Sequence, residues 1–448
     1  MKKSKIIVAL LLAFVIVFGI VSLVACDNNK DDRIELVLWA PSNEMSFYKD
    51  WTHKWAYGYT DEDGVEHPGY VDSQGRSYDV YVTNMETDGA KEALLNGAED
   101  GADVFLFIDD HIADLANAGI LSPVGTGPLA QDVIARNSSS SVASATYQGQ
   151  NDTEEKLYAY PMQADNTYYL YYNSKYLNEE DVTSWDNIFA KLDEINADNE
   201  GVSKKVAFDY GTGWYAASWF FTFGGWVTTT ETNFNEIGAK ALEAAYQFST
   251  NTAVKFQGPD ASKQELAKAD GEIVACVAGG WIYASPDENT PTGVDQNPNI
   301  KLTILPKVNL NGEEKQMKAF ISSKLIGVNG QLPYGVASHQ LANFLTSEAV
   351  QKDKAIKLMA GPSNINAAND PEVAELPTIK AAAQQANFAS PQINLPINFW
   401  EAVQDAVNDV KFGSEAYTTY FNEDGSPKAD ALAARVAKLA ADMFTSLA

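Results

Sequence analysis

Ala102-Asp103-Val104-Phe105-Leu106-Phe107-Ile108 is an apolar run that is short and rich in aromatic and β-branched residues. Such a run reads as a buried strand. Asp109, Asp110 and His111 follow at once, then a helical pattern over 111–118 that stops at Gly119, a common C-terminal breaker. Strand, polar turn and helix make the repeating unit of an α/β layer, and such sheets bind ligands at the C-terminal ends of their strands. Phe107, Asp109, Asp110 and His111 are therefore candidate binding residues, although an aspartate here also serves as a helix cap.

The pattern extends outward. Strands are expected at 34–39, 79–82, 272–278 and 301–306, with an extended stretch at 158–172. Helices are expected at 89–97, 184–196, 237–249, 338–346, 347–358 and 431–447, and 57–78 reads as a loop dense in Gly, Asp and Pro. The alternation argues for an α/β protein with a mainly parallel sheet.

The start of the chain says where this protein works. Lys2, Lys3 and Lys5 precede an apolar run from Ile6 that closes on Leu23-Val24-Ala25-Cys26. A basic start, an apolar stretch and small residues before a cut describe a secretory signal. The final cysteine resembles a bacterial lipobox, which implies cleavage after residue 25 and a lipid on Cys26. The alternative is an uncleaved anchor, since 6–25 is long enough for a helix of about 20 residues to span a bilayer. Either reading puts the remainder outside the cytoplasm, with 26–33 as a polar tether.

The 448 residues carry a formal net charge of −28, and loss of the three signal lysines makes it more negative. That excess repels nucleic acid and anionic membrane surfaces. Hydrophobic content of 45% permits a large core, as an exported protein without disulfides needs. Of the two cysteines, Cys276 sits in the apolar run Val274-Ala275-Cys276-Val277-Ala278 and reads as a core residue. Dinucleotide, P-loop, zinc-protease and nucleophile-elbow motifs are absent. His53, His67, His111 and His339 lack metal-ligand spacing, and Asp61-Glu62-Asp63-Gly64 fails the calcium-loop register. No metal and no cofactor are expected.

Five segments in order carry a family resemblance. They are Gly101-Ala102-Asp103-Val104-Phe105 with Leu115-Ala116-Asn117-Ala118-Gly119-Ile120-Leu121; Lys156-Leu157-Tyr158-Ala159-Tyr160-Pro161 with Tyr169-Leu170-Tyr171-Tyr172-Asn173; Gly279-Gly280-Trp281; Ala342-Asn343-Phe344-Leu345-Thr346-Ser347-Glu348; and Asn398-Phe399-Trp400. Together they resemble the extracellular solute-binding proteins of bacterial ABC sugar importers, the group that includes the maltodextrin-binding protein. The chain departs from that group between Trp39 and Asp79, where it is longer.

The resemblance implies a two-lobed periplasmic-binding-protein fold of type II, with three crossovers near Asp165, near Ile321 and between Pro371 and Pro377. The lobes would be 34–164 plus 322–372 and 165–321 plus 373–448, with the ligand between them. It implies Trp400, Trp281, Trp214 and Tyr215 as stacking aromatics. Asn43, Glu44, Asp110, His111, Asp165 and Asn166 would be polar contacts, with Glu401 and Gln404 facing the ligand beside Trp400. Aromatic faces cover the C–H patches of a sugar, while carboxylates and amides meet its hydroxyls. The implied activity is capture of a neutral saccharide and its delivery to the membrane permease subunits of an ABC transporter, by a monomer that is not an enzyme. Two other readings stand beside it. A secreted glycosidase would need a carboxyl of raised pKa in an apolar niche. An anionic solute would need cleft cations; the matched positions offer none, and unmatched loops would have to supply them, as with Arg76 or Lys255.

Overall fold

The structure is a computed structural model that describes residues 33–198, 201–284, 293–392, 395–396 and 398–445. The signal, Cys26 and nearly all of the tether lie outside the described residues.

Two sheets organise the chain. In the first, Ile34–Ala40 pairs in parallel with Tyr78–Asn84 on one side and Val104–Ile108 on the other. Antiparallel to Val104–Ile108 runs the ten-residue strand Ala319–Val328, which also pairs with Tyr160–Thr167 and, in parallel, with Ala389–Pro391. The second sheet has the order Val254–Lys255, Lys205–Ala207, Ile273–Ala278, Tyr169–Asn173, Ile300–Thr303. Its last two strands are antiparallel, so both sheets are mixed rather than mainly parallel. In the first sheet Ala319–Val328 returns against Val104–Ile108, and in the second Tyr169–Asn173 runs against both its neighbours.

Each sheet has its own core, and the cores define two lobes. Leu36, Leu38, Phe105, Phe107 and Leu115 belong to the first lobe's core, with Leu325, Ile326 and Leu341 returning to it. Tyr168, Trp185, Phe208, Trp219, Phe320, Phe399 and Val436 belong to the second's. Tyr169, Tyr171, Cys276 and Ala381 cover the other face of the second sheet. Core membership changes between Met162 and Tyr168, between Phe320 and Leu325, and between Val350 and Ala381. Strand Ala319–Val328 thus starts in one lobe and ends in the other. Its partner Tyr160–Thr167 runs the opposite way, tied to it by Asn166 donating to Ser322 Oγ and Thr167 donating to the Phe320 carbonyl.

Most expected elements are present, with shifted ends. The helix that stops at Gly119 is a short turn Asp109–His111 leading into Ile112–Asn117. Gly119 has φ +69°, and the Ile120 N–H reaches back to the Leu115 carbonyl at 3.0 Å, as in a left-handed helix stop. The long segment after Trp39 holds a helix, Met45–Tyr57, and a hairpin of Gly58–Thr60 with Glu66–Pro68. Asp61 closes the hairpin turn: its carboxylate accepts from the N–H groups of Asp63 and Val65 and contacts His67 at 2.8 Å.

Candidate functional site

Three strand ends of the first lobe converge on one wall. Ile34–Ala40 runs into Pro41-Ser42-Asn43, Tyr78–Asn84 into Glu86-Thr87-Asp88, and Val104–Ile108 into Asp110 and His111. The second lobe faces them with Thr212-Gly213-Trp214, Asp260, Lys263, Trp281, Trp400 and Gln404. The shared strands supply the floor through Asn166 and Lys324. The cleft, open to solvent on one side, holds about 730 Å³, within the usual range for small-molecule sites.

Three tryptophans line it. Trp214 and Trp281 lie 5.8 Å apart between centroids, tilted by 39°, and Trp400 packs edge-on against Phe320 at 5.0 Å. Hydrogen bonds hold two of the indoles. Trp214 Nε1 donates to Gln392 Oε1 at 2.9 Å, and Trp400 Nε1 donates across the cleft to Asp110 Oδ2 at 3.1 Å. Gln404 Oε1 accepts from the Gly213 N–H at 3.1 Å. Gly213 is needed there, because a Cβ would stand 2.5 Å from the Trp400 carbonyl oxygen.

Acceptors outnumber cations on the walls. Glu86, Asp88, Asp110 and Asp260 face the cleft against Lys263 and Lys324. Lys263 pairs with Asp260 at 3.2 Å, and Lys324 lies 3.7 Å from Glu44. Glu86 takes the N–H and hydroxyl of Ser42 at 3.0 and 2.8 Å. Burial lowers the His111 imidazole against the opposing pull of Asp110, which favours the neutral ring. Burial pushes Asp109 up to about 8, against the hydrogen bond it receives from Ser323 N–H at 2.8 Å.

Of the sequence-derived candidates, Asn43, Asp110, His111, Asn166, Trp214, Trp281, Trp400 and Gln404 line the cleft. Six do not. Phe107 is fully buried in the first core; its neighbour Ile108 faces the cleft instead, as strand alternation requires. Asp109 turns inward to Ser323 and is 2% exposed. Glu44 borders only a side cavity of about 30 Å³ and binds Lys354 at 2.7 Å. Asp165 packs against Gly361 and accepts from Gln163 at 2.8 Å. Tyr215 is not on a loop: it sits in helix Gly213–Thr222, its ring 4.8 Å from Tyr168 in the second core. Glu401 is exposed, one residue round the helix Phe399–Val410 from Trp400, whereas Gln404, four residues on, shares the Trp400 face.

Glu86, Thr87, Asp88, Asp260, Lys263, Lys324 and Gln392 join the walls without having been singled out. The first three follow a strand end directly, so the rule that selected Asp110 also applies to them. Cations do reach the cleft from outside the matched positions, as Lys263 and Lys324 rather than Arg76 or Lys255. Arg76 and Lys255 are engaged elsewhere, with Asp72 at 2.7 Å and Glu272 at 2.6 Å.

Two α/β lobes on shared strands, with a polar and aromatic cleft between them, define a protein built to enclose a small solute. The chain belongs to the bacterial extracellular solute-binding proteins, whose family profile matches residues 72–381. It is 22% identical over 394 residues to a galactooligosaccharide-binding protein of Bacillus subtilis (strain 168), covering 85% of each chain. It is 23% identical over 344 residues to a maltotriose-binding protein of Pyrococcus abyssi, covering 74% of this chain and 70% of the other. Its fold matches the GacH receptor of Streptomyces glaucescens, solved unliganded and with acarbose, at TM-score 0.71 and 17% identity, over 92% of this chain and 99% of that one. Among the described residues no helix is long and apolar enough to cross a membrane.

Proposed function

We propose that this protein captures a neutral saccharide or oligosaccharide between its lobes and hands it to the permease of an ABC transporter. The observation that carries the reading is the division of labour across the cleft. Trp214, Trp281 and Trp400 come from one lobe; Asn43, Glu86, Asp88 and Asp110 come from the other. A sugar satisfies both walls only when they are close, so binding shifts the population toward closure. The lobes move as 34–164 with 322–372 and 165–321 with 373–448, a monomer tethered to the membrane by a lipid on Cys26. The named relatives bind oligosaccharides, and the excess of carboxylates over lysines disfavours anions.

The reading includes no chemistry on the sugar. A glycosidase acid needs both a raised pKa and access to substrate. Asp109 has the first, but it turns away from the cleft to Ser323. Calorimetric titration with maltotriose and galactooligosaccharides tests the proposal. Saturable binding with unchanged sugar is expected, together with about 2.7 kcal/mol of added stability at about 100 times Kd. Released products would reverse it in favour of hydrolysis.

A further inference from the structure

The cleft is rich in acceptors, and most of its side-chain donors are already engaged within the protein. The Ser42 hydroxyl donates to Glu86 at 2.8 Å and the Thr212 hydroxyl to Asp209 at 2.7 Å. The indoles of Trp214 and Trp400 donate to Gln392 and Asp110. Asn166 donates its amide to Ser322, and Lys263 reaches Asp260 at 3.2 Å. A sugar hydroxyl tolerates such walls, because it donates as readily as it accepts. The ring and bridging oxygens of a saccharide do not. They are acetal oxygens, carry no hydrogen and can only accept.

Lys324 is the charged donor that remains. Among the described residues its ammonium makes no hydrogen bond; the nearest carboxylate oxygen, on Glu44, stands 3.7 Å away, beyond hydrogen-bond reach. Glu44 does not depend on it, because Lys354 lies 2.7 Å from the other carboxylate oxygen and is the stronger cation on that group. The backbone sets where the amine goes. Lys324 sits opposite Ile108 on strand Ala319–Val328, and the side chain of its neighbour Ser323 turns inward to Ser141, so alternation aims Lys324 at the cleft. Lys324 and Trp281 line both the cleft and the adjoining side cavity, which puts the amine beside that ring.

We propose that Lys324 is the specificity-determining donor of the cleft, its ammonium directed at an acetal oxygen of the sugar unit beside Trp281. The contact rests on the function proposed above. It makes the cleft select glycosides: an open-chain polyol brings hydroxyls but no acetal oxygen to that place. Hydrogen bonds from a charged donor are the stronger kind, and an ammonium on the floor left without an acceptor opposes a solute that cannot supply one.

Lys324→Met removes the donor and leaves the Glu44–Lys354 pair in place, so its urea midpoint is expected to stay close to that of the wild type. Calorimetric titration with maltotriose is expected to show Kd weakened about tenfold or more. A merely structural loss would weaken every probe alike. Two maltotriose analogues therefore complete the test, one with sulfur, a weak acceptor, in place of the bridging oxygens and one with sulfur in place of the ring oxygens. At least one analogue is expected to bind about tenfold more weakly than maltotriose to the wild type, and within about twofold of maltotriose to Lys324→Met. Equal losses for both analogues on wild type and variant would overturn the contact, as would maltotriose affinity that Lys324→Met leaves intact. Should Lys324→Met fail to fold, the same comparison on Lys324→Gln, which keeps a neutral donor, decides by the same criterion. A wild type that binds no saccharide would refute the functional reading itself; a wild type and variant that bind alike would refute the contact alone.

Discussion

Glu44→Leu is expected to cost the fold about 3–5 kcal/mol, the range for breaking a buried ion pair by removing one partner. Lys354 is 1% exposed and Glu44 5%, and their charged atoms are 2.7 Å apart. Without the carboxylate, Lys354 keeps hydrogen bonds among the described residues to the Tyr48 hydroxyl at 3.2 Å and to Gln163 Oε1 at 3.4 Å, with the Asp165 carboxyl, which burial raises, as the remaining acidic neighbour. Burial alone would raise the Glu44 carboxyl, but Lys354 and Lys324 outweigh it and hold the group below its ordinary value. A depressed carboxylate contributes stability above its unfolded pKa and loses it as pH falls through the folded value, so this contribution fades below about pH 4.5. Urea unfolding at pH 7 measures the loss. Glu44→Leu combined with Lys354→Met is expected to recover much of it, because an apolar replacement of both partners leaves no stranded charge. A single-variant cost under about 1 kcal/mol would show that the pair is solvated.

Asp109→Asn is expected to make the protein more stable above neutral pH. Asp109 titrates at about 8 in the fold because burial opposes its charge. Its folded pKa therefore lies above its unfolded one. Its stabilising contribution is complete below about pH 4 and declines as pH rises toward 8, by as much as about 1.4 kcal/mol per pH unit. Asparagine keeps an acceptor for the Ser323 N–H and never ionises. Melting curves of wild type and variant are expected to coincide near pH 4 and separate progressively to pH 8, the variant higher. Parallel curves across that window would contradict the inward, proton-holding placement of Asp109.

Local pattern made some of this legible and distance hid the rest. The strand Val104–Ile108 announces itself by composition, and the polar residues at its end follow from its direction. Helix Met45–Tyr57 was missed although its buried Phe47, Tyr48, Trp51, Thr52, Trp55 and Ala56 fall at helical spacing. Its aromatic residues are types common in strands, which obscures the period. Helix Gly213–Thr222 gives no period because nearly every residue in it is buried, so Tyr215 read as a loop aromatic. Glu401 and Gln404 both read as facing the ligand beside Trp400, but the helix turns Glu401 to solvent and keeps only Gln404 of the two on the cleft. Glu44 and Lys354 meet because the chain returns to the first lobe after building most of the second; no local pattern in the chain records that contact.

Closure of the cleft requires a sugar that touches both lobes at once. A crystal structure of the full protein with the tightest-binding saccharide tests this most directly. Sugar rings against Trp281 and Trp400, with hydroxyls on Asp110 of the opposite wall, are the predicted result. A sugar seated on one lobe alone, as in the surface groove beside Trp226 and Phe444, with the interlobe cleft empty, would contradict it.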